Sequence, residues 1–199
     1  MQYPTFALEY ELLKRYHVIA GVDEVGRGCL ASPVVACMAV ITSENDYLPS
    51  LVRDSKTLSF RQRETVSQQL AVLLSDYAIG MASAEEIDRL GIRKATHLAM
   101  LRAYWQLTVQ PEIVLMDGES ATIPIFSKTF QYNYGDLLHY SIAAASILAK
   151  VWRDQYMIAL EEQVPGYGFD KHKGYGTKLH YESLSRLGIS NIHRKTFIH

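Results

Sequence analysis

The sequence predicts a mixed α/β sheet covered on its faces by helices. Three observations carry this: apolar, β-branched runs gather toward the front of the chain, long amphipathic stretches follow at helical period, and one apolar run between them ends on a carboxylate. At 199 residues, 48% of them hydrophobic and 21% charged, the chain can bury a full core and lies below the length at which chains usually split. One domain over 1–199 is expected, with no repeat, low-complexity tract or Pro/Gly/Ser linker to interrupt it.

The first strand is the apolar run Val18 to Asp23, which follows a charged helical stretch, and the second is Pro33 to Ile41, PVVACMAVI. Gly26-Arg27-Gly28 lies between them. The economical arrangement is a hairpin, but its connection is longer than the tightest turns, so the loop does more than reverse the chain. Ser59 opens a helix to about Leu74, because Gln62 three positions on completes a Ser-x-x-Gln capping box. Tyr77 to Ala82 is a third strand. Ile92 to Leu107 reads as an amphipathic helix, and Glu112 to Met116 as a buried strand running into Asp117-Gly118. Leu138 to Gln163 is a long helix whose Ala143, Ala144 and Ala145 present little bulk, as close packing on a sheet requires.

Several classes are excluded or disfavoured. Met1 to Tyr16 has charged residues scattered among apolar ones and no signal-peptide core, and no apolar stretch reaches membrane-spanning length. Cys29 and Cys37 both sit in or beside apolar sequence and read as free buried thiols, which fits a reducing cytoplasm. Net charge is −1, but Lys171 to His199 carries six Lys or Arg against Glu182 alone, so the tail is +5 and the remainder −6. On charge alone, the tail divides evenly between a solvated helix with its loop and a phosphate-contacting arm.

The chemistry turns on where the acids fall. Successive strand residues face opposite sides, so Asp23 and Glu24 reach one site only if the second swings into the loop at the strand end. An isolated Asp-Glu pair is more often a turn residue and a cap. Asp117, however, also ends an apolar strand, a costly place for an unneutralised carboxylate. Hard oxygen donors with no Cys or His cluster beside them point to Mg²⁺ or Mn²⁺ rather than zinc. Two such ions about 4 Å apart can activate a water and stabilise the leaving oxygen of a phosphodiester. Asp136, just before the long helix, reads on its own as that helix's N-cap. Asp154, inside the helix beside Arg153, reads as a member of a surface ion pair. Glu119 is a further candidate ligand.

The series GVDEVGRGCLASPVVA, DSKTLS, DGES, SIAAASILAKVWRD and HKGYGT, in this order and spacing from about Val18 to Thr177, resembles the motif series of ribonuclease HII. The resemblance implies a ribonuclease H-like mixed β-sheet flanked by α-helices, with a small helical C-terminal segment that binds substrate, about 164–199. It implies that Asp23, Glu24, Asp117 and Asp136 are the catalytic, metal-holding carboxylates, the site of two Mg²⁺ or Mn²⁺ ions. It also gives Gly26, Arg27 and Gly28 the role of contacting the ribonucleotide 2′-hydroxyl through backbone groups, the feature that separates RNA from DNA. Tyr175 resembles the tyrosine that packs on the sugar at the RNA-to-DNA step; on its own it reads as a loop anchor. Lys56, just before a helix, and Lys173, with Lys171 and Lys178, become phosphate contacts. The implied substrate is an RNA–DNA hybrid or a DNA duplex containing ribonucleotides, cut by a monomer without any membrane partner.

The sequence departs from the family pattern at Cys29, where Pro is expected, at Ser32, where Gly is expected, and at Gly91, where Asn is frequent. The first two bear on loop shape, the third on a backbone contact to nucleic acid. Ribonuclease HIII is disfavoured, because the segment before Val18 leaves no room for its additional N-terminal domain. Two other readings stay open. A non-catalytic hybrid-binding protein would use the same loop and tail but has no need of acids facing a polyanion. Another two-metal nuclease or transposase of the fold would cut all-DNA duplex.

Overall fold

Strands β1 (Val18–Val25) and β2 (Val34–Thr42) form the expected hairpin, paired antiparallel from Val18 with Thr42 to Val25 with Val35. The computed structural model describes residues 3–43, 52, 58–118, 123, 125–126 and 128–199; Lys56 and Glu119 lie outside them. β3 (Asp76–Ala82) adds antiparallel to β2, while β4 (Ile113–Asp117) and β5 (Thr129–Tyr132) add in parallel on the other side, giving the order β3-β2-β1-β4-β5. The hairpin therefore occupies the middle of the sheet.

Strand periodicity divides the core into two faces. Val34, Ala36, Met38 and Val40 of β2 pack on one side with Ala95, Ala99, Met100 and Ala103 of α4 (Ile92–Gln106). Cys37, Ala39 and Ile41 pack on the other with α6 (Tyr140–Gln163) and with Val66 and Leu70 of α2 (Phe60–Leu73). Both cysteines are free and buried, as expected. The Ser59–Gln62 capping box forms in both directions. The alanine run of α6 lies against the sheet so closely that a Cβ on Gly21 of β1 would stand 2.1 Å from the Ser141 carbonyl carbon.

Four elements differ from the sequence reading. β1 runs two residues past Asp23, because β2 continues to pair with it on one side. The expected helix from Leu138 is broken: a short α5 (Gly135–Leu138) precedes α6, and His139 between them is extended. The cause is remote in sequence. Thr5 donates its amide to the Leu138 carbonyl and accepts from the Tyr140 amide, and buried Glu9 of α1 (Ala7–Leu13) accepts from the Ser141 amide at 2.8 Å and its hydroxyl at 2.7 Å. These contacts end one helix and cap the next. The reading also passed over α3 (Ala84–Leu90), although Ser83 and Glu86 form a second capping box, and over β5, whose exposed positions give no apolar pattern. The C-terminal segment is helical as expected, with α7 (Phe169–His172) and α8 (Lys178–Leu187). Among the described residues, no helix is long and apolar enough to cross a membrane.

Candidate active site

The pairing of β1 with β4 stops at Val22 and Met116, so Asp23 and Asp117 emerge side by side where the parallel pairing ends. Such carboxyl ends are where open α/β sheets leave a crevice. Here the crevice is a cavity of about 440 Å³ lined by Asp23, Glu24, Val25, Asp117, Asp136, Ser146, Lys150 and Tyr175. All four acids assigned from the motif series meet there. A larger cleft, about 800 Å³ along β3 between Tyr77 and Trp152, has no acidic lining residue among the described residues; chemistry rather than size distinguishes the first.

Each acid is held differently. Asp23 accepts from the Glu24 amide at 2.7 Å and from the Ser146 side chain. Burial, then the charges of Glu24 and Asp117, push its carboxyl well above the ordinary range. Burial raises Glu24 too, opposed by the Arg27 guanidinium, whose Nη1 donates to Oε1 at 3.1 Å. Asp117 accepts from the Gly135 amide at 2.6 Å, which fastens α5 against β4. Asp136 sits in the first turn of that short helix and not at its N-cap, which is Tyr134. The N-cap reading of Asp136 therefore fails, as the α5–α6 break takes it away from the long helix.

The donors in this set are all carboxylate oxygens, with Asp23 and Asp136 buried and Glu24 and Asp117 partly so, and the charges of Glu24 and Asp117 raise the cost of ionising Asp23; such a set suits a hard divalent cation. Among the described residues, no three acid, imidazole or thiol side chains are already gathered closely enough to hold an ion, although all four acids line the one cavity. Asp154 lies elsewhere. It is buried, not on the surface, and its partners are Lys150 Nζ at 2.7 Å and Arg63 Nη2 at 4.0 Å, not the adjacent Arg153. Helix period explains this: Lys150 is one turn before Asp154 and shares its face, whereas Arg153 points elsewhere.

The Gly26–Gly28 loop begins one residue after β1. Gly26 has φ +87°, and a Cβ there would stand 2.3 Å from Nε of Arg153. Arg27 and Gly28 are exposed, and beside Gly28 the space is open. Tyr175 reaches the same cavity from the loop after α7, half-exposed, with the Arg153 guanidinium carbon 5.8 Å from its ring centre. Lys173 is half-buried, and its ammonium turns onto the Asp170 carbonyl; Lys171 and Lys178 are exposed. At two departure positions the backbone favours glycine. Ser32 has φ +80°, a conformation that favours glycine, and Gly91 has φ +76° where it ends α3 and starts α4. Cys29 is buried with its thiol on the Lys173 carbonyl at 3.7 Å.

The sequence model of the ribonuclease HII family matches residues 20–199. The chain belongs to the ribonuclease HII family. It is thereby a ribonuclease H, an endonuclease among the hydrolases. The ribonuclease HII of Staphylococcus epidermidis is 47% identical over 180 residues, 90% of this chain and 69% of that protein. Among solved structures, the ribonuclease H2 of Pyrococcus horikoshii superposes with a TM-score of 0.73 at 25% identity, covering 90% of this chain and 93% of the other. The ribonuclease HII solved with PCNA from Archaeoglobus fulgidus gives 0.73 at 25%, covering 92% and 96%.

Four residues at or behind the ribonuclease HII site were not singled out from sequence: Ser146, Lys150, Arg153 and Arg194. Ser146 and Lys150 carried a readable signal, being four apart on one helix in SIAAASILAKVWRD and so on a single face toward the acids. Arg153 and Arg194 carried none, because their partners are backbone carbonyls outside any local pattern, those of Pro33 and Lys173 for Arg153 and that of Gly26 among others for Arg194.

Proposed function

We propose that this ribonuclease H hydrolyses the phosphodiester on the 5′ side of ribonucleotides, in RNA–DNA hybrids and in DNA duplexes with embedded ribonucleotides, leaving a 3′-hydroxyl and a 5′-phosphate. One observation carries the reading: Asp23, Glu24, Asp117 and Asp136 line a single cavity that opens beside the Gly26–Gly28 loop. A polyanionic substrate is repelled by four acids unless cations intervene, so the pairing of acids with a nucleic-acid loop makes sense only for metal-assisted cleavage.

Asp23, Glu24, Asp117 and Asp136 would hold Mg²⁺ or Mn²⁺. When bound, two such ions supply an activated water and stabilisation of the leaving oxygen. The chain's own groups do the positioning. Lys150, kept at the cavity by Asp154, brings a cation to the wall that phosphate approaches. Exposed amides of the glycine loop face the ribose 2′-hydroxyl, and the Tyr175 ring offers a flat surface for the neighbouring sugar. Arg27, half-exposed on Glu24, is placed to move between that carboxylate and the substrate. Lys56, Lys171, Lys173 and Lys178 contact phosphates, so binding weakens strongly with added salt. In this reading residues 1–199 are one catalytic domain acting as a monomer, and about 164–199 form its substrate-binding segment.

The test is the identity of the product ends. Cleavage of a hybrid with Mg²⁺ should give 3′-hydroxyl and 5′-phosphate termini and stop in chelator. A 2′,3′-cyclic phosphate product, or cleavage that persists in chelator, defeats the reading.

A further inference from the structure

The groups that hold the Gly26–Gly28 loop are not on the loop. Arg194, near the C-terminus, is fully buried, and its fork spans three carbonyls: Nη2 donates to Gly26 at 2.7 Å, Nη1 to Arg27 at 2.8 Å and Nε to Ser32 at 2.9 Å. No ion pair among the described residues joins it to an acid. A buried cation with only neutral acceptors is costly, and an apolar side chain of similar volume would fill the same space at lower cost. Loop closure alone does not require a guanidinium.

What the fork accomplishes is directional. With the carbonyls of Gly26 and Arg27 held in the interior, the peptide planes turn their N–H groups the other way. Among the described residues, the amides of Arg27 and Gly28 have no protein acceptor, and both residues are exposed, three and four positions after Glu24. Unpaired backbone donors ordered this way await an acceptor from outside. Asp88 on α3 fixes the strap that carries Arg194, accepting from the amides of Lys195 at 2.9 Å and Thr196 at 3.0 Å.

We infer that Arg194 is a positioning residue for sugar recognition: by holding the loop carbonyls inward it presents the amides of Arg27 and Gly28 to the 2′-hydroxyl of the ribonucleotide. The inference rests on the proposed function, in which this loop reads the ribose. Lysine keeps the charge but reaches at most one of the three carbonyls in that planar arrangement.

The experiment compares binding to two duplexes that differ by one 2′-hydroxyl, one with a single embedded ribonucleotide and one all-DNA, titrated with Ca²⁺ in place of Mg²⁺. Wild type should prefer the ribonucleotide duplex. In Arg194→Lys the preference should shrink by about tenfold while all-DNA binding stays unchanged. A merely structural role would instead weaken both together with the melting temperature. Asp88→Ala, at a half-exposed residue that does not line the cavity, should shift the preference in the same direction by less, and it decides the matter if Arg194→Lys does not fold. Wild-type preference in the folded variants overturns the role of Arg194. A wild type with no preference at all overturns the ribose reading beneath it.

Discussion

Asp117 stands beside Asp23, one step beyond Val22 and Met116, the last paired residues of two parallel strands. Each acid alone is a weak signal, and the parallel register makes them neighbours. Asp23 also feels Glu24, and the folded chain holds its proton to a higher pH than the unfolded chain does. Ionising Asp23 therefore costs stability as pH rises above the ordinary 3.8. Asp23→Asn should raise the melting temperature of the metal-free protein at neutral pH while cutting Mg²⁺-dependent cleavage by about 100-fold or more. A lower melting temperature would contradict the repulsion.

Asp136 and Asp154 separate by what each loses. Asp136→Asn should reduce cleavage by about 100-fold or more with little change in stability. Asp154→Asn leaves Lys150 and Arg63 beside an uncharged amide in a largely buried place and should cost about 3 kcal/mol. Paired melting curves and cleavage rates check both; full cleavage by Asp136→Asn would remove it from the site.

Ser32→Gly should stabilise the protein. Ser32 adopts φ +80°, and its buried hydroxyl has no hydrogen-bond partner among the described residues. Relief of both, less the entropy of a new glycine, leaves a gain of about 1 kcal/mol. Denaturant melts give the sign directly.

His193 and His180 meet through their Nε2 atoms at 3.1 Å, so one must accept while the other donates. Burial pushes His193 down from its ordinary 6.5 to about 4, and lowers His180 as well. The folded state then holds fewer protons than the unfolded state between about pH 6.5 and pH 4, and stability falls as pH drops through that window. Comparing melts of wild type and His193→Gln across this range should show a flatter slope for the variant.

The legible parts of the fold were those with local causes. The hairpin, the Ser59 cap and the strand into Asp117 all follow from neighbouring residues. The α5–α6 break did not, because Thr5 and Glu9 impose it from the other end of the chain. The acids were found through motif order, and their meeting depends on strand register, which no single segment specifies. Arg194 was illegible for the same reason: its acceptors are carbonyls about 160 residues earlier, without a side-chain pattern to mark them.

The most direct measurement is cleavage of a DNA duplex carrying one ribonucleotide by wild type and Asp117→Asn side by side, with Mg²⁺ or Mn²⁺ supplied. The predicted result is one cut on the 5′ side of the ribonucleotide by wild type, none by the variant, and no cut in the matching all-DNA duplex. Wild-type failure with both metals, equal cleavage by the variant, or cleavage of the all-DNA duplex would contradict the account.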